Sequence, residues 1–279
     1  MKTIDATDIT NVVRELCMSA NVDADPALRE HLIKAQQTEQ PGAAKNALNM
    51  IVENMQIAEI ERMPMCQDTG QVVVFIEVGQ EVQIIGNLAA AINEGVRQGY
   101  KDGYLRASVV ADPINRINTK DNTPAVIHYN IVMGDILKID VIPKGIGAEN
   151  KSAVRMLTPS QGIAGIESFV LETVKNAGAS ACPPFFIGIG IGGTMEKAAL
   201  MSKQALSQDI DRKNSDPYWA DVEQRLVKKI NELGMGAMNL KGRITAMGVN
   251  ILTYPTHIGG LPVAVNIGCH VSRHKSAVL

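Results

Sequence analysis

Three apolar segments, each adjoining a cysteine, constrain the fold of this chain more than any other feature. They are QVVVFIEVG at 71–79, FFIGIGIGG at 185–193 and LPVAVNIG at 261–268. Short apolar runs bounded by glycine, proline and polar residues are typical of buried strands. Cys66 and Cys182 precede the first two segments, and Cys269 follows the third. The sequence therefore predicts cysteines in loops at strand ends, and three such loops can meet at one point.

Amphipathic helices are predicted over much of the remaining chain. Apolar residues recur with helical spacing near 8–20, 26–37, 43–61, 87–103, 162–177, 195–206 and 216–233. Asp5, Thr7 and Asp8 are candidate N-caps of the first helix, and Pro26 suits the first turn of the second. Thr194 can cap the helix that follows FFIGIGIGG.

The remaining strands define the fold class. PAVIHYNIVMGDILKIDVIPKG, at 124–145, predicts a hairpin that turns at 133–135, and GRITAMGVNIL, at 242–252, predicts a further strand. Strands and helices together predict an α/β fold of the mixed α+β kind, with a helical N-terminal region followed by a mixed-sheet domain. We expect one domain over 1–279, with 1–61 as a helical subdomain.

The composition argues against several classes of protein. The 279 residues are 46% hydrophobic and 20% charged, with a formal net charge of -2, which indicates a globular chain without a basic patch for nucleic acid or an anionic membrane. The start, MKTIDATDIT, has no apolar signal core. No apolar run approaches the roughly 18 residues of a membrane span. We expect a cytoplasmic protein without nucleic-acid or membrane partners.

The four cysteines allow several interpretations. No pair has CxxC spacing, which argues against a zinc finger or ribbon, and structural disulfides are rare in a reducing cytosol. Each thiol is therefore a small buried apolar group, a reactive thiol or a metal ligand. Cys17 lies in the apolar stripe of the first helix, which indicates core packing. Cysteine count alone favours unrelated buried residues at the other three positions, whereas three convergent thiolates would suit an iron–sulfur cluster.

A glycine pattern raises a dinucleotide alternative. Gly188, Gly190 and Gly193 match GxGxxG between a predicted strand and helix. A dinucleotide site needs a parallel strand after that helix, ending in an acidic residue about 20 residues on. Here a polar loop and another helix follow instead. We interpret the glycines as positions where the backbone closely approaches another group, for which a cluster beside Cys182 is one candidate.

Taken together, the cysteine segments and their neighbours resemble the α-type subunit of the class I, iron–sulfur fumarate hydratase and L-tartrate dehydratase family. The motifs lie in the family order and cover most of the chain beyond residue 60. They are CQDTG (66–70), LRASVV (105–110), NTPAVIHYNIV (122–132), KGIGAENKS (144–152), ACPPFFIGIGIGG (181–193), THIGGLPVAVNIGCH (256–270) and SRH (272–274).

The resemblance implies a cofactor and a reaction. Cys66, Cys182 and Cys269 correspond to the three ligands of a [4Fe–4S] cluster whose fourth iron is open. The reaction is reversible dehydration of a 2-hydroxy dicarboxylate, most simply (S)-malate to fumarate, with L-tartrate to oxaloacetate as the alternative. An open iron bound to the hydroxyl would weaken the carbon–oxygen bond, and a base must remove a weakly acidic proton.

The resemblance also assigns roles to other residues. Asp68 is implied to support proton transfer, and Gln67 and Arg106 to bind substrate carboxylate. The other implied substrate contacts are Gly145, Gly147 and His257. In the glycine loop, Ile146 stands where the family usually has glycine and Ala148 where serine is common, which leaves open which amide faces the substrate.

Several neighbouring residues keep more than one interpretation. Thr69 and Gly70 shape the turn after Cys66, or Thr69 donates its hydroxyl to substrate. His270 and His274 share a face if the segment after Cys269 is helical. With Arg273 they line the site, contact a partner or are merely exposed. His128 alternates with apolar neighbours in a predicted strand and is interpreted as structural.

The resemblance further implies a partner. Single-chain members of the family carry a second domain with a catalytic threonine and further cationic groups, and this sequence stops at Leu279, soon after the last cysteine motif. We therefore expect a hetero-oligomer in which a β-type subunit supplies those groups. A non-catalytic homologue without its cluster remains a further alternative, against which all three cysteines, Gln67, Asp68 and Arg106 argue.

Overall fold

The computed structural model describes residues 2–279 and has the mixed α/β architecture that the sequence predicts. The chain forms two compact units, each built from separate segments. The first contains the chain up to Ala24, together with Met55–Ile146 and Arg273–Leu279; the second contains Asp25–Asn54 and Gly147–Ser272. The predicted single domain over 1–279, with a helical subdomain at 1–61, stays a prediction.

The helices agree closely with the apolar periodicity of the sequence. They are α1 (Ala6–Val22), α2 (Pro26–Thr38), α3 (Ala43–Glu61), α4 (Leu88–Asp102), α5 (Ile146–Glu149), α6 (Gly162–Ala177), α7 (Met195–Ala205) and α8 (Pro217–Asn231). Asp5 caps α1 by accepting a hydrogen bond from the Thr7 amide at 2.8 Å, and Pro26 occupies the first turn of α2. Thr194 is the N-cap residue of α7 but makes no side-chain cap bond, because its hydroxyl donates to Glu196 instead.

Ten strands complete the described chain. They are β1 (Lys2–Asp5), β2 (Gln71–Gly79), β3 (Val82–Ile85), β4 (Val126–Val132), β5 (Leu137–Lys144), β6 (Ala153–Leu157), β7 (Phe185–Gly192), β8 (Ala246–Tyr254), β9 (Leu261–Gly268) and β10 (Lys275–Val278). The short strands β1, β3, β6 and β10 were not predicted, because each is only four or five residues long and its pairing partner is distant in sequence or not apolar.

The first unit has a four-stranded sheet in the order β10-β5-β2-β4. The predicted β4–β5 hairpin is wrong, since β2 lies between these two strands, parallel to β4 and antiparallel to β5. The reason is burial: β2 is the most apolar strand of this unit and takes the central position, where both neighbours cover it. A separate parallel pair joins β1 to β3.

Helices α1 and α4 cover one face of this sheet. Val72, Val74 and Ile76 of β2 share one core cluster with the apolar stripes of both helices. The two helices approach closely at Gly95, where a Cβ atom would lie 2.7 Å from the Thr10 carbonyl oxygen. Cys17 is fully buried in this core, as predicted.

The second unit has a sheet in the order β6-β9-β7-β8, with β7 parallel to β8 and antiparallel to β9. The isoleucines of FFIGIGIG belong to a core cluster that includes α6 and α8. The alternating glycines allow α7 to lie directly against β7, because a Cβ atom on Gly190 would be 2.0 Å from the Ala198 carbonyl oxygen. The close approach predicted for these glycines is therefore made by a helix, and a cluster contact beside Cys182 stays a prediction.

Within residues 2–279, no helix combines the length and the apolar character that a membrane span requires.

Candidate functional site

The CQDTG segment is a turn that leads directly into β2, and buried contacts fix its shape. Thr69 is buried, and its hydroxyl donates to the Arg106 carbonyl oxygen at 3.0 Å. The Tyr100 hydroxyl donates to the Thr69 carbonyl at 2.6 Å and to the Gly70 carbonyl at 3.0 Å. Burial raises the pKa of the Tyr100 phenol, so it remains protonated and a donor. The Thr69 hydroxyl thus shapes the turn and is bonded to the segment that carries Arg106.

Asn122 ties the same turn to the LRASVV segment. Its side chain is fully buried, donates to the Gly70 carbonyl at 3.1 Å and accepts from the Ser108 amide at 2.8 Å. Asn122 begins the NTPAVIHYNIV motif but was not among the predicted site residues. Its φ of 61° is a left-handed conformation that asparagine tolerates better than most residues, but no local sequence pattern marks this position.

Asp68 binds the glycine loop through its carboxylate. One oxygen accepts from the Gly70 amide at 3.1 Å, and the other accepts from the Ile146 amide at 2.8 Å. A Cβ atom on Gly145 would lie 3.2 Å from that second oxygen, so glycine suits this position. The Ile146 amide is thereby engaged by Asp68 within the chain.

Arg273 is buried beside this turn, with only 5% of its surface exposed. Its Nη1 donates to the Asn21 side-chain oxygen at 2.8 Å, and its Nη2 would be 3.3 Å from a Cβ atom on Gly145. The Asn21 carbonyl in turn accepts from the Met65 amide, next to Cys66, at 2.9 Å. The interpretation of Arg273 as a surface residue is therefore wrong. The predicted short helix after Cys269 is also absent, as residues 269–274 form bends and irregular backbone.

These contacts bring together the predicted residues of the first unit. Cys66 and Asp68 are partly exposed, while Gln67 and Arg106 are exposed. The Thr69 hydroxyl binds the Arg106 carbonyl oxygen, and the Asp68 carboxylate binds the Ile146 amide of the glycine loop. An exposed amide and an exposed guanidinium can each donate hydrogen bonds to a carboxylate.

In the second unit, His270 brings the Cys182 and Cys269 segments together. Its amide donates to the Cys182 carbonyl at 3.2 Å, and its ring Nδ1 is 2.9 Å from the same oxygen. Because a carbonyl only accepts, Nδ1 carries the proton in this contact. Cys182 has a φ of 53°, a left-handed conformation that is costly for a residue with a side chain and often marks functional positions. Both cysteines are partly exposed.

His257 and Gly147 occupy other parts of the second unit. His257 is exposed and lines a cleft of about 320 Å³ with Trp219 and Tyr218, and its Nδ1 accepts from the Gly259 amide at 3.1 Å. A Cβ atom on Gly147 would lie 3.1 Å from the Ser180 carbonyl oxygen, two residues before Cys182. His128 stacks on Phe75 within the first unit at 5.1 Å, in agreement with a structural role.

The four thiols differ in their fitness as ligands. Burial raises the pKa of the Cys17 thiol far above its ordinary value, which disfavours the thiolate that binds metal. Cys66, Cys182 and Cys269 are each partly exposed next to a strand, and none of the four is in a disulfide. Their donor chemistry fits an iron–sulfur cluster. Cys66 belongs to the first unit and the other two to the second, and residues 2–279 contain no preassembled group of three His, Cys, Asp or Glu side chains for a metal.

Comparisons with known proteins find one family model and several relatives that cover most of the chain. The family model of fumarate hydratase (Fumerase) matches residues 10–278. A Methanocaldococcus jannaschii protein provisionally named as an L(+)-tartrate dehydratase subunit alpha is 40% identical over 272 residues, which cover 95% of each chain. The L(+)-tartrate dehydratase subunit alpha of Escherichia coli K12 is 29% identical over 275 residues, covering 97% of this chain and 90% of that protein.

Proposed function

This chain belongs to the fumarate hydratase (Fumerase) family, and on that premise we propose that it is the cluster-bearing α-type subunit of a hydro-lyase. Its reaction is the reversible dehydration of a 2-hydroxy dicarboxylate, with (S)-malate to fumarate as the first candidate. The observation that carries the proposal is the turn at 66–70. It holds a partly exposed thiol, an amide and a carboxylate in successive residues and is bonded to the segment of Arg106.

Cys66, Cys182 and Cys269 would hold a [4Fe–4S] cluster. When bound, such a cluster with one open iron supplies a Lewis acid for the substrate hydroxyl. The contact of His270 with the Cys182 carbonyl supports this assignment, because it fixes two of the three thiol-bearing segments against each other.

Arg106 and Gln67 would bind one substrate carboxylate. Both side chains are exposed, and the Arg106 main chain is held by the buried hydroxyl of Thr69, two residues after Gln67. A guanidinium can donate two parallel hydrogen bonds to a carboxylate, which fixes the direction of the acid. The exposed His257, whose Nδ1 already accepts from the Gly259 amide, would offer its Nε2–H as a further donor.

Asp68 would help to orient the groups that move the proton. Its two oxygens accept from the Gly70 and Ile146 amides, so its position depends on the glycine loop and that of the loop on Asp68. Gly145 allows this close contact. Gly147, beside the Ser180 carbonyl, would similarly keep the loop near Cys182.

L-tartrate is a second candidate substrate, and the relatives favour it. The proteins from M. jannaschii and E. coli carry the name L(+)-tartrate dehydratase subunit alpha. Malate and tartrate differ by one hydroxyl. Tartrate carries it on the carbon adjacent to the carbon that loses its hydroxyl, where malate has two hydrogens. A site that donates to that hydroxyl would discriminate strongly against malate, which lacks it.

The same names support a two-subunit enzyme. Both relatives are named as alpha subunits, and we propose that this chain likewise acts with a β-type subunit in a hetero-oligomer.

The experiment that tests the substrate assignment uses the chain reconstituted anaerobically with iron, sulfide and the β-type subunit. Turnover is measured with (S)-malate, fumarate and the tartrate isomers. Arg106→Ala should raise KM by about tenfold to a hundredfold, since one charge-assisted hydrogen-bonded pair is worth about 1.5–3 kcal/mol. Arg97→Ala, which removes a surface arginine paired with Glu94, is the matched control and should leave KM unchanged.

A second readout does not depend on turnover. Trp219 is the single tryptophan of the chain and lines the same cleft as His257. Diacid binding near His257 should therefore change the fluorescence of Trp219.

Two outcomes would contradict these proposals. An Arg106→Ala enzyme with unchanged KM for every diacid would refute the carboxylate-binding role of Arg106. A reconstituted parent enzyme that turns over none of the diacids would refute the hydro-lyase proposal.

A further inference from the structure

Strand β4 forms one edge of the sheet in the first unit. It is the last strand in the order β10-β5-β2-β4 and pairs only with β2 among residues 2–279. Its other edge carries main-chain donors and acceptors that no strand of the described chain uses. Such an edge is a ready template for pairing with another strand.

The side chains of β4 make this edge unusually receptive. Val126 is 40% exposed, Tyr129 52% and Ile131 72%, and Met133, just beyond the strand, is 80% exposed. The sequence of the strand, VIHYNIV, contains no charged residue and no proline. Edge strands are usually protected from association by lysine, proline, bulges or inward charges. None of these protections is present in the seven residues of β4.

The order of these residues is nearly symmetric about Tyr129. Counting outward from Tyr129 in both directions, the sequence has His128 and Asn130 at the first positions, Ile127 and Ile131 at the second, and Val126 and Val132 at the third. In an antiparallel pair of two copies, a two-fold axis at Tyr129 would place each residue opposite a residue of the same character. We propose that β4 pairs with β4 of a second copy of this chain in this register, joining two four-stranded sheets into one of eight.

The symmetry and the charge favour a second copy over an unrelated strand. The pairing places the apolar valine and isoleucine pairs opposite each other, together with two His–Asn pairs and one Tyr–Tyr pair. Cross-strand pairs of these types stabilise a sheet. No like charges face each other, because the strand is uncharged. A shift of the register by one residue would place the side chains of one copy on the face opposite to their equivalents in the other copy, which the symmetric register avoids.

The size of the contact sets its strength. Two paired seven-residue strands with their side chains bury less than the roughly 1,200 Å² of a standard interface. We therefore expect a reversible dimer with a dissociation constant in the micromolar range. The pairing uses none of the residues assigned to catalysis, so it stands or falls independently of the proposed hydro-lyase activity.

A charge exchange at position 129 tests the pairing by sedimentation equilibrium of the full chain. Tyr129→Lys places two lysines opposite each other and should raise the dimer dissociation constant at least about tenfold, and Tyr129→Glu should do the same. Mixing the two variants should restore a dimer, because lysine then faces glutamate across the axis. Ile114→Lys, at an exposed loop position of the same unit, is the control and should dimerise like the parent chain.

A benzophenone side chain at position 129 provides an independent measurement. On illumination it should cross-link to residues 127–131 of a second copy, as identified by mass spectrometry of the linked peptides, with the β-type subunit present or absent. A parent chain that is monomeric at high concentration would overturn the proposal. So would variants that dimerise normally, mixtures that do not recover, or cross-links that lead to the β-type subunit.

Discussion

At the scale of single residues, the conformation of the candidate site depends on buried side chains. Thr69, Tyr100 and Asn122 are buried and bind main-chain oxygens of the turn or of the Arg106 segment. Arg273 donates a hydrogen bond to the side chain of Asn21, which lies 252 residues earlier in the chain. Their common role is to fix the backbone so that Cys66, Gln67 and Asp68 are presented in one geometry.

The sequence indicated the more exposed residues of the candidate site and the turn-shaping role of Thr69, but it did not indicate Tyr100, Asn122 or the burial of Arg273. Cys66, Gln67, Asp68 and Arg106 stand out because their chemistry in one motif has few purposes. Arg273 could be taken for a surface residue, since the contacts that bury it come from elements far away in the chain. Asn122 differs from other loop asparagines only in its tertiary contacts, which no local pattern records.

The cysteines provide a prediction at this scale. Anaerobically reconstituted chain should bind about four irons, and Cys66→Ser, Cys182→Ser and Cys269→Ser should each lose the brown absorption of the cluster. Cys17→Ala is the control and should keep it, because burial holds the Cys17 thiol protonated. Iron content and visible absorption measure the outcome. Loss of iron in Cys17→Ala together with full retention in one of the serine variants would show that the ligands are assigned incorrectly.

At the scale of secondary-structure elements, helices were predicted better than strand order. A helix records its own boundaries through its period and caps, as Asp5 and Pro26 do for α1 and α2. Strand order depends on which partners bury an apolar strand best, and β2 separates β4 from β5 for that reason. The short strands β1 and β10 carry too few residues for a pattern, and each pairs with a strand remote in sequence.

Strand β7 shows how one pattern can have two explanations. Its glycines match a dinucleotide fingerprint, but they alternate with isoleucines at the period of a strand. The isoleucines pack into the core with α6 and α8, and the glycines leave room for α7. The packing of a helix on bare backbone therefore explains the glycines without a ligand.

This explanation predicts a large effect of Gly190→Ala. A Cβ atom there would lie 2.0 Å from the Ala198 carbonyl oxygen, so α7 must move away from β7. We expect the free energy of unfolding to fall by about 3 kcal/mol, the upper end of overpacking effects, in denaturant titrations of the apo chain. Gly260→Ala, whose Cβ would meet only the Met156 side chain at 4.0 Å, is the control and should change little. Equal stability of the two variants would contradict the packing explanation.

At the scale of the whole molecule, the question is which chemical groups the chain lacks for the proposed reaction. A dicarboxylate needs donors for both acid groups, and in the proposed site Arg106 with Gln67 would provide for one of them. Asp68, the acid in the CQDTG turn, already accepts hydrogen bonds at both oxygens from main-chain amides. A second polypeptide that contributes a base and further cations would complete the set, in agreement with relatives that are named as alpha subunits.

The corresponding prediction concerns activity of the isolated chain. With a full cluster but no β-type subunit, it should show at most about a hundredth of the turnover of the complex, because loss of general base catalysis alone costs about 10²–10⁴-fold. Titration with the β-type subunit should restore turnover and saturate at a fixed ratio of subunits. Iron content measured before and after mixing separates loss of the cluster from lack of the partner. If the isolated, cluster-loaded chain turns over substrate as fast as the complex, this chain itself contains the base, and the two-subunit proposal must be abandoned.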